Sequence, residues 1–309
     1  MELYFAPLEG ITDALFRKVH HRCYPGADRY YTPFFSPTVH RSLTPREHRE
    51  LPRVEKGDPL VIPQLLTKNA EDFLWAAGQC AERGYTEVNL NAGCPSGTVF
   101  SKGKGAGMLS DPDSLDRFLE TVFASTPLPI SVKARIGVTD PAEFPALLAV
   151  FNRYPICRLI LHPRVRKAFY TGTPDMERFS YAVSHSKAPL CYNGDVQALS
   201  QVEALQHTYP SLNACMIGRA LVGNPGLLSG DRDVEKLRSF HDELFDGYLQ
   251  LFGSPKNTMF RMKEHWNYLL PNFKGSEKLA KSLRKTTDLR QFRSITREIF
   301  QTLPFEPPE

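Results

Sequence analysis

Residues 86–107, TEVNLNAGCPSGTVFSKGKGAG, begin as a short β-like run and end as a loop with Gly97, Gly103, Gly105, Gly107 and two lysines. One cysteine, Cys94, is wedged between a glycine and a proline at the junction. A packing cysteine sits among apolar neighbours, and Cys94 does not, so its setting points to reactivity. A mostly apolar strand that ends in polar residues is also the pattern that repeats along the chain. The runs LYFAPL (3–8), RYYTPFF (29–35), LVIPQLL (60–66) and EVNLN (87–91) are strand candidates. PISVKAR (129–135), RLILHPR (158–164), APLCYN (188–193) and ACMIG (214–218) bring the number to eight.

Helix-length segments lie between these runs. Asn69 caps one that places Phe73, Ala77, Cys80 and Ala81 on one face before Gly84. Asp111 with Pro112 opens another, carrying Leu115, Phe118, Leu119 and Val122, and a third carries Val202 and Leu205. Eight β units alternating with helices over some 220 residues predict an α/β fold, a (β/α)8 TIM barrel. An open doubly wound sheet is the alternative, disfavoured because no GxGxxG follows the first strand. The candidate strand ends read Pro7-Leu8-Glu9-Gly10, Gln64, Asn91, Lys133 with Arg135, His162 with Arg164, Asn193-Gly194-Asp195 and Gly218-Arg219. In a barrel, that rim is where ligands bind.

From about Asp231 the strand signals stop and helical patterns follow one another. Two domains are expected, a barrel over 1–229 and a C-terminal all-helical domain over 230–309. Between Lys256 and Arg297 lie eleven Lys or Arg against Glu264, Glu277 and Asp288, a balance of +8 on a chain of net charge +4. A basic helical segment on an acidic body suggests an anionic partner, nucleic acid first. Composition is that of an ordinary globular protein, 41% hydrophobic and 23% charged. The N-terminus MELYFAPLEG has no leader pattern and no apolar run is long enough for a membrane, so a cytoplasmic protein is expected. Six scattered cysteines without a CxxC argue against a metal site or a disulfide framework.

The loop GTVFSKGKGAG is no P-loop, since the Gly97–Gly103 spacing is one residue too long and no Ser or Thr follows Lys104. The turns after the seventh and eighth strands, NGD and IGRAL, are better phosphate candidates. Lys133 and His162 close neighbouring strands, where a carbonyl-bearing ring could be received; Gln64 could bond the edge of a flavin.

The pieces APLEG, PQLLTKNAEDF, VNLNAGCPS, KGKGAGMLSDP, SVKARIG, HPRVRKAFYTG, YNGDV and MIGRALVGNP occur in the order found in the tRNA-dihydrouridine synthases, which the sequence resembles. That resemblance implies an FMN-dependent enzyme reducing the C5=C6 bond of D-loop uridines in tRNA, with NADPH or NADH as reductant. It implies that Pro7, Leu8 and Glu9 border FMN and that Gln64, Lys133 and His162 hold its ring. Asn193, Gly194, Asp195, Gly218 and Arg219 would hold its phosphate. Cys94 matches the family's proton donor, delivering to C5 from a mobile loop while hydride reaches C6. Asn91 and Arg135 would contact the uracil. Lys274, Lys278, Lys281, Arg284 and Lys285, then Arg261 and Lys263, are the expected tRNA contacts. A monomer without metal is expected. Gly97 stands where the family usually carries Lys or Arg, Pro163 replaces a small residue, and Ala168 stands where Gln is common. The alternatives are an FMN-dependent ene or pyrimidine reductase of a small molecule, which leaves the basic domain idle, and a non-catalytic RNA-binding protein.

Overall fold

A computed structural model describes residues 1–38 and 40–308. Its parallel sheet contains, among the described residues, β1 (Glu2–Phe5), β2 (Arg29–Tyr31), β3 (Val61–Ile62), β4 (Gln64–Leu65), β5 (Val88–Ala92), β6 (Ile130–Arg135), β7 (Arg158–His162), β8 (Leu190–Tyr192) and β9 (Ala214–Ile217). The order is β3-β2-β1-β9-β8-β7-β6-β5-β4. Its two ends, β3 and β4, are separated only by Pro63, so the sheet curls round until they meet there.

Nine strands therefore stand where eight were expected, and the reason is local. Pro63 has no N–H to give to a ladder, and it divides the run 60–66 into a half that pairs with β2 and a half that pairs with β5. The expected run 29–35 is shorter than its composition suggests, with β2 ending at Tyr31 and a single bridge from Phe35 to Leu65. Tyr30, Tyr31 and Phe35 are buried barrel core.

The helices begin where the caps place them. Asn69 accepts the Asp72 N–H at 2.9 Å to start Ala70–Ala81, and Asp111 accepts the Ser114 N–H at 3.0 Å to start Pro112–Ser125. Their apolar faces, Phe73, Ala77 and Cys80 on one and Leu115, Leu119 and Val122 on the other, are buried.

The chain divides into two compact units. The first gathers Met1–Pro7, Asp28–Asp195 and Ala204–Met216; the second gathers Leu8–Ala27, Val196–Glu203 and Ile217–Glu309. Within the second, the helix Ala14–Cys23 packs with the helices Val234–Phe252 and Pro255–Leu269. Phe16 stacks on His265 at 5.2 Å and meets Phe240 edge-on. The Tyr248 hydroxyl donates to Asp13 Oδ1 at 3.0 Å and lies 3.3 Å from His265 Nε2. Burial pushes the Asp13 carboxyl up and the His265 imidazole down to about 3, so both are held toward neutrality in a polar thread through an aromatic core.

Candidate active site

Alternation along β4, β5 and β6 turns a set of amides inward at one level. Gln64 pairs in register with Asn89, and Asn89 with Ser131. Their side chains link across the strands: Asn91 Nδ2 donates to Gln64 Oε1 (2.7 Å), Gln64 Nε2 to Asn89 Oδ1 (2.8 Å) and Asn89 Nδ2 to Ser131 Oγ (2.9 Å). All four are buried. Each amide consequently has a determined orientation, because a flipped one would face donor to donor. Gln64 keeps one amide hydrogen without a partner among the described residues. Asn89 and Ser131 were not foreseen as site residues, although their inward phase follows from Gln64, Asn91 and Lys133 by the two-residue period.

Beyond β5 the chain turns sharply through Gly93, Cys94 and Pro95. Asn91 Oδ1 accepts both the Gly93 N–H (3.1 Å) and the Cys94 N–H (2.9 Å). A side chain at Gly93 would meet the backbone of Lys133 and Ala134 at 3.3–3.4 Å, so the turn lies directly against β6. Gly105, at φ +58°, crosses beneath Cys94; a Cβ there would stand 2.9 Å from the Cys94 Cβ. The loop is thus more tightly tied than its glycines suggested: Gly97–Phe100 forms a helical turn and Gly105–Ser110 a 3-10 turn.

Lys133 and Arg135 leave β6 beside this turn. Lys133 is half-buried, and its Nζ has no hydrogen-bond or ion-pair partner among the described residues. Burial and the neighbouring Arg135 cation push its ammonium down to about 8, while the Cys94 and Cys191 thiols lie within electrostatic range. Arg135 is buried, and burial lowers its pKa. Its Nε donates to Gly93 O and its Nη1 to Val165 O, both at 3.0 Å, and the guanidinium lies over the Tyr170 ring.

On β7, His162 is buried and its ring meets Tyr170 at 6.1 Å. Arg164, expected on the rim beside His162 but given no role of its own, holds this side together. Its guanidinium reaches His162 Nε2 (3.1 Å), the carbonyls of Thr171 and Gly172, and the Asp195 carboxylate. Asp195 therefore turns its charge onto Arg164. Asn193 Nδ2 donates to Met216 O, and Tyr192 crowds Gly194 closely enough that a Cβ would not fit.

Pro7, the last residue of the first unit's opening segment, is half-buried. In the second unit, Leu8 N donates to Thr12 Oγ1 and Glu9 is exposed. Gly218 caps the short helix Arg219–Gly223 without a side-chain cap. Lys278, Lys281, Arg284 and Lys285 are exposed on the helix Glu277–Lys285, whose Ala280 and Leu283 are buried. Lys274 is exposed and pairs with Glu306 at 3.5 Å. Lys263 is engaged at the end of that helix, donating to the carbonyls of Arg284 and Thr286, and Arg261 lies over Tyr248 and Phe252.

The cysteine turn, the lone ammonium and the oriented amide chain thus stand on neighbouring strands β4, β5 and β6. The dihydrouridine synthase model matches residues 4–302. The chain belongs to that family. It is an oxidoreductase by that membership. It is 25% identical over 320 residues to the probable tRNA-dihydrouridine synthase 1 of Synechocystis, covering 96% of this chain and 86% of that one. It is 24% identical over 315 residues to the tRNA-dihydrouridine(16) synthase of Neisseria meningitidis, covering 96% and 94%. With tRNA-dihydrouridine synthase B of Pseudomonas putida it shares 28% over 236 residues, 75% of this chain and 67% of the relative. Among solved structures, an old yellow enzyme homologue from Zymomonas mobilis superposes with a TM-score of 0.55 at 13% identity, over 73% of this chain and 86% of that one. Morphinone reductase gives 0.52 at 12%, over 74% and 85%. These two establish the barrel. Among the described residues no His, Cys, Asp and Glu cluster could hold a metal, and no helix is long and apolar enough to cross a membrane.

Proposed function

We propose that this chain reduces the C5=C6 bond of D-loop uridines in tRNA to dihydrouridine, with FMN as cofactor, NADPH or NADH as reductant and Cys94 as proton donor. The observation that carries the reading is the unpartnered Lys133 ammonium, on the strand position paired with Asn91 of the Asn91–Gln64–Asn89 amide chain and within electrostatic range of Cys94. A cation and a spare amide hydrogen in a half-buried setting suit a ring with carbonyl oxygens, so the residues present fit a flavin. FMN, when bound, supplies the hydride to C6 of the uracil.

The chain's residues do the rest. Gln64 and Lys133 orient the ring, His162 closes the neighbouring strand, and the Asn193–Asp195 turn and the Gly218–Arg219 helix start are the family's phosphate-binding positions. The Cys94 thiol gives its proton to C5 as the pair of electrons from the broken double bond arrives there, and Asn91 fixes the turn that carries it. Arg135 stands beside that turn. A folded tRNA must present its base outside the stack. The exposed Lys278, Lys281, Arg284 and Lys285 with Lys274 track its phosphates, in a helical domain over 230–309 that serves a catalytic barrel over 1–229. The protein acts as a cytoplasmic monomer. Since the Neisseria relative aligned along nearly the whole chain is named for position 16, that uridine is the first to inspect.

The test is dihydrouridine mapping of tRNA from cells lacking this protein, complemented by wild type or Cys94→Ala. Loss at defined D-loop positions, restored by wild type and not by the mutant, supports the reading. An unchanged map in a strain without a redundant enzyme favours the small-molecule reductase.

A further inference from the structure

The polar backbone groups of residues 93–95 are all occupied. Asn91 Oδ1 takes the N–H groups of Gly93 and Cys94, and Ala106 N donates to Cys94 O at 3.1 Å. The two flanking carbonyls go to guanidinium groups: Gly93 O to Arg135 Nε at 3.0 Å and Pro95 O to Arg166 Nε at 3.3 Å. Pro95 has no N–H to satisfy. With the backbone held at five points, rotation about Cα–Cβ is the main freedom left to the Cys94 thiol.

Arg135 is anchored by its strand, whereas Arg166 comes from the loop after β7 and needs its own support. It has one. The guanidinium lies between two aromatic rings, 4.2 Å from the Phe100 centroid on the cysteine loop and 5.3 Å from the Phe169 centroid on its own loop. Arg166 N donates to Gly137 O (2.8 Å) and Lys167 N to Val138 O (2.9 Å), fastening the loop to the end of β6. Phe169 adopts φ +50° and is 43% exposed. A bulky apolar residue held in the left-handed region and in solvent is costly unless its surroundings require it, and such strain gathers at working sites. The Arg166 plate is what Phe169 faces.

We infer that Arg166, stacked between Phe100 and Phe169, is a positioning residue that fixes the Cys94 thiol for proton delivery. The inference rests on the reading of Cys94 as the proton donor. Misplacing a reacting atom by a fraction of an ångström costs catalysis far more than binding. Removing the Arg166 tether should therefore lower kcat, leave tRNA affinity nearly unchanged, and make proton transfer more rate-limiting.

The experiment compares full-length holoenzyme as wild type, Arg166→Met, Arg166→Lys and Phe169→Leu. Arg166→Met is expected to lose roughly 10- to 100-fold in kcat, with little change in KM for tRNA and a larger solvent deuterium isotope effect. Alkylation of Cys94 by iodoacetamide, followed by peptide mass spectrometry, is expected to accelerate. Arg166→Lys should recover part of each effect, and Phe169→Leu should fall between. Wild-type kcat, isotope effect and alkylation in Arg166→Met would overturn the inference. A change confined to KM and to the salt dependence of tRNA binding would also overturn it, making Arg166 a phosphate contact. Should Arg166→Met fail to fold, Phe169→Leu decides on the same criteria, since it leaves the arginine in place. Should wild type fail to reduce tRNA, the synthase reading falls while the alkylation series still judges the tether.

Discussion

Replacing Lys133 with Met should stabilise the cofactor-free protein and weaken its hold on FMN. In the fold the ammonium falls from 10.5 to about 8, chiefly through burial and then through Arg135. That difference of roughly 2.5 pH units, at 1.36 kcal/mol each, sets an upper limit of about 3.4 kcal/mol on the charge penalty. Solvent still reaches the side chain in part, so about 2 kcal/mol is the expected gain. The sign depends on pH in a definite way. Below about pH 8 the amine is charged in both folded and unfolded chains, and the folded state bears the whole penalty. Between about pH 8 and 10.5 the folded state has lost the proton while the unfolded chain keeps it, so stability rises with pH and the penalty fades. The assay is thermal unfolding of apo wild type and Lys133→Met at pH 7 and pH 10, where other groups cancel in the difference. The variant should melt about 3 °C higher at pH 7, with only about a quarter of the gap left at pH 10. FMN affinity, by fluorescence titration, should drop on the order of 10- to 100-fold, as for loss of a charged hydrogen bond. A variant no more stable than wild type at pH 7, or a gap unchanged at pH 10, would refute the reasoning.

Gly105→Ala should cost about 2 kcal/mol, because φ is +58° and the new Cβ meets Cys94 and Val99 at 2.9 Å; denaturant unfolding measures it. Glu87→Gln breaks the Arg29–Glu87 pair at the foot of the barrel, 2.6 Å long with Glu87 buried, and should cost about 3 kcal/mol by the same method. Changing Lys278, Lys281 and Lys285 together to Ala should leave the fold intact, since all three are exposed, and flatten the salt dependence of tRNA binding by about 0.7–0.9 per lysine in log–log slope.

The barrel was legible because apolar strands with polar ends recur at even spacing, and the caps at Asn69 and Asp111 announce themselves locally. The run 60–66 reads as a single strand, and the split at Pro63 shows only in the two ladders it separates. Cys94 stood out through its neighbours, and Gln64, Asn91, Lys133 and His162 through their place at strand ends. Arg164 and Arg166 lie two apart in the same loop, yet their work is done on Asp195, 31 residues along, and Pro95, 71 residues back. No local pattern records a contact of that range. The same holds for the helix Ala14–Cys23. Its grouping with the C-terminal helices depends on Asp13 meeting Tyr248 and Phe16 meeting His265. Lys263 looked like any other cation of a basic segment until its ammonium was found on helix-end carbonyls.

The most direct measurement mixes purified protein, loaded with FMN and reduced by NADPH without oxygen, with unmodified tRNA, and follows flavin absorbance together with dihydrouridine in the product. The account predicts reoxidation matched by dihydrouridine at a D-loop position, with dihydrouridine lost in Cys94→Ala. Reoxidation by a small ene or free uracil but not by tRNA would contradict it.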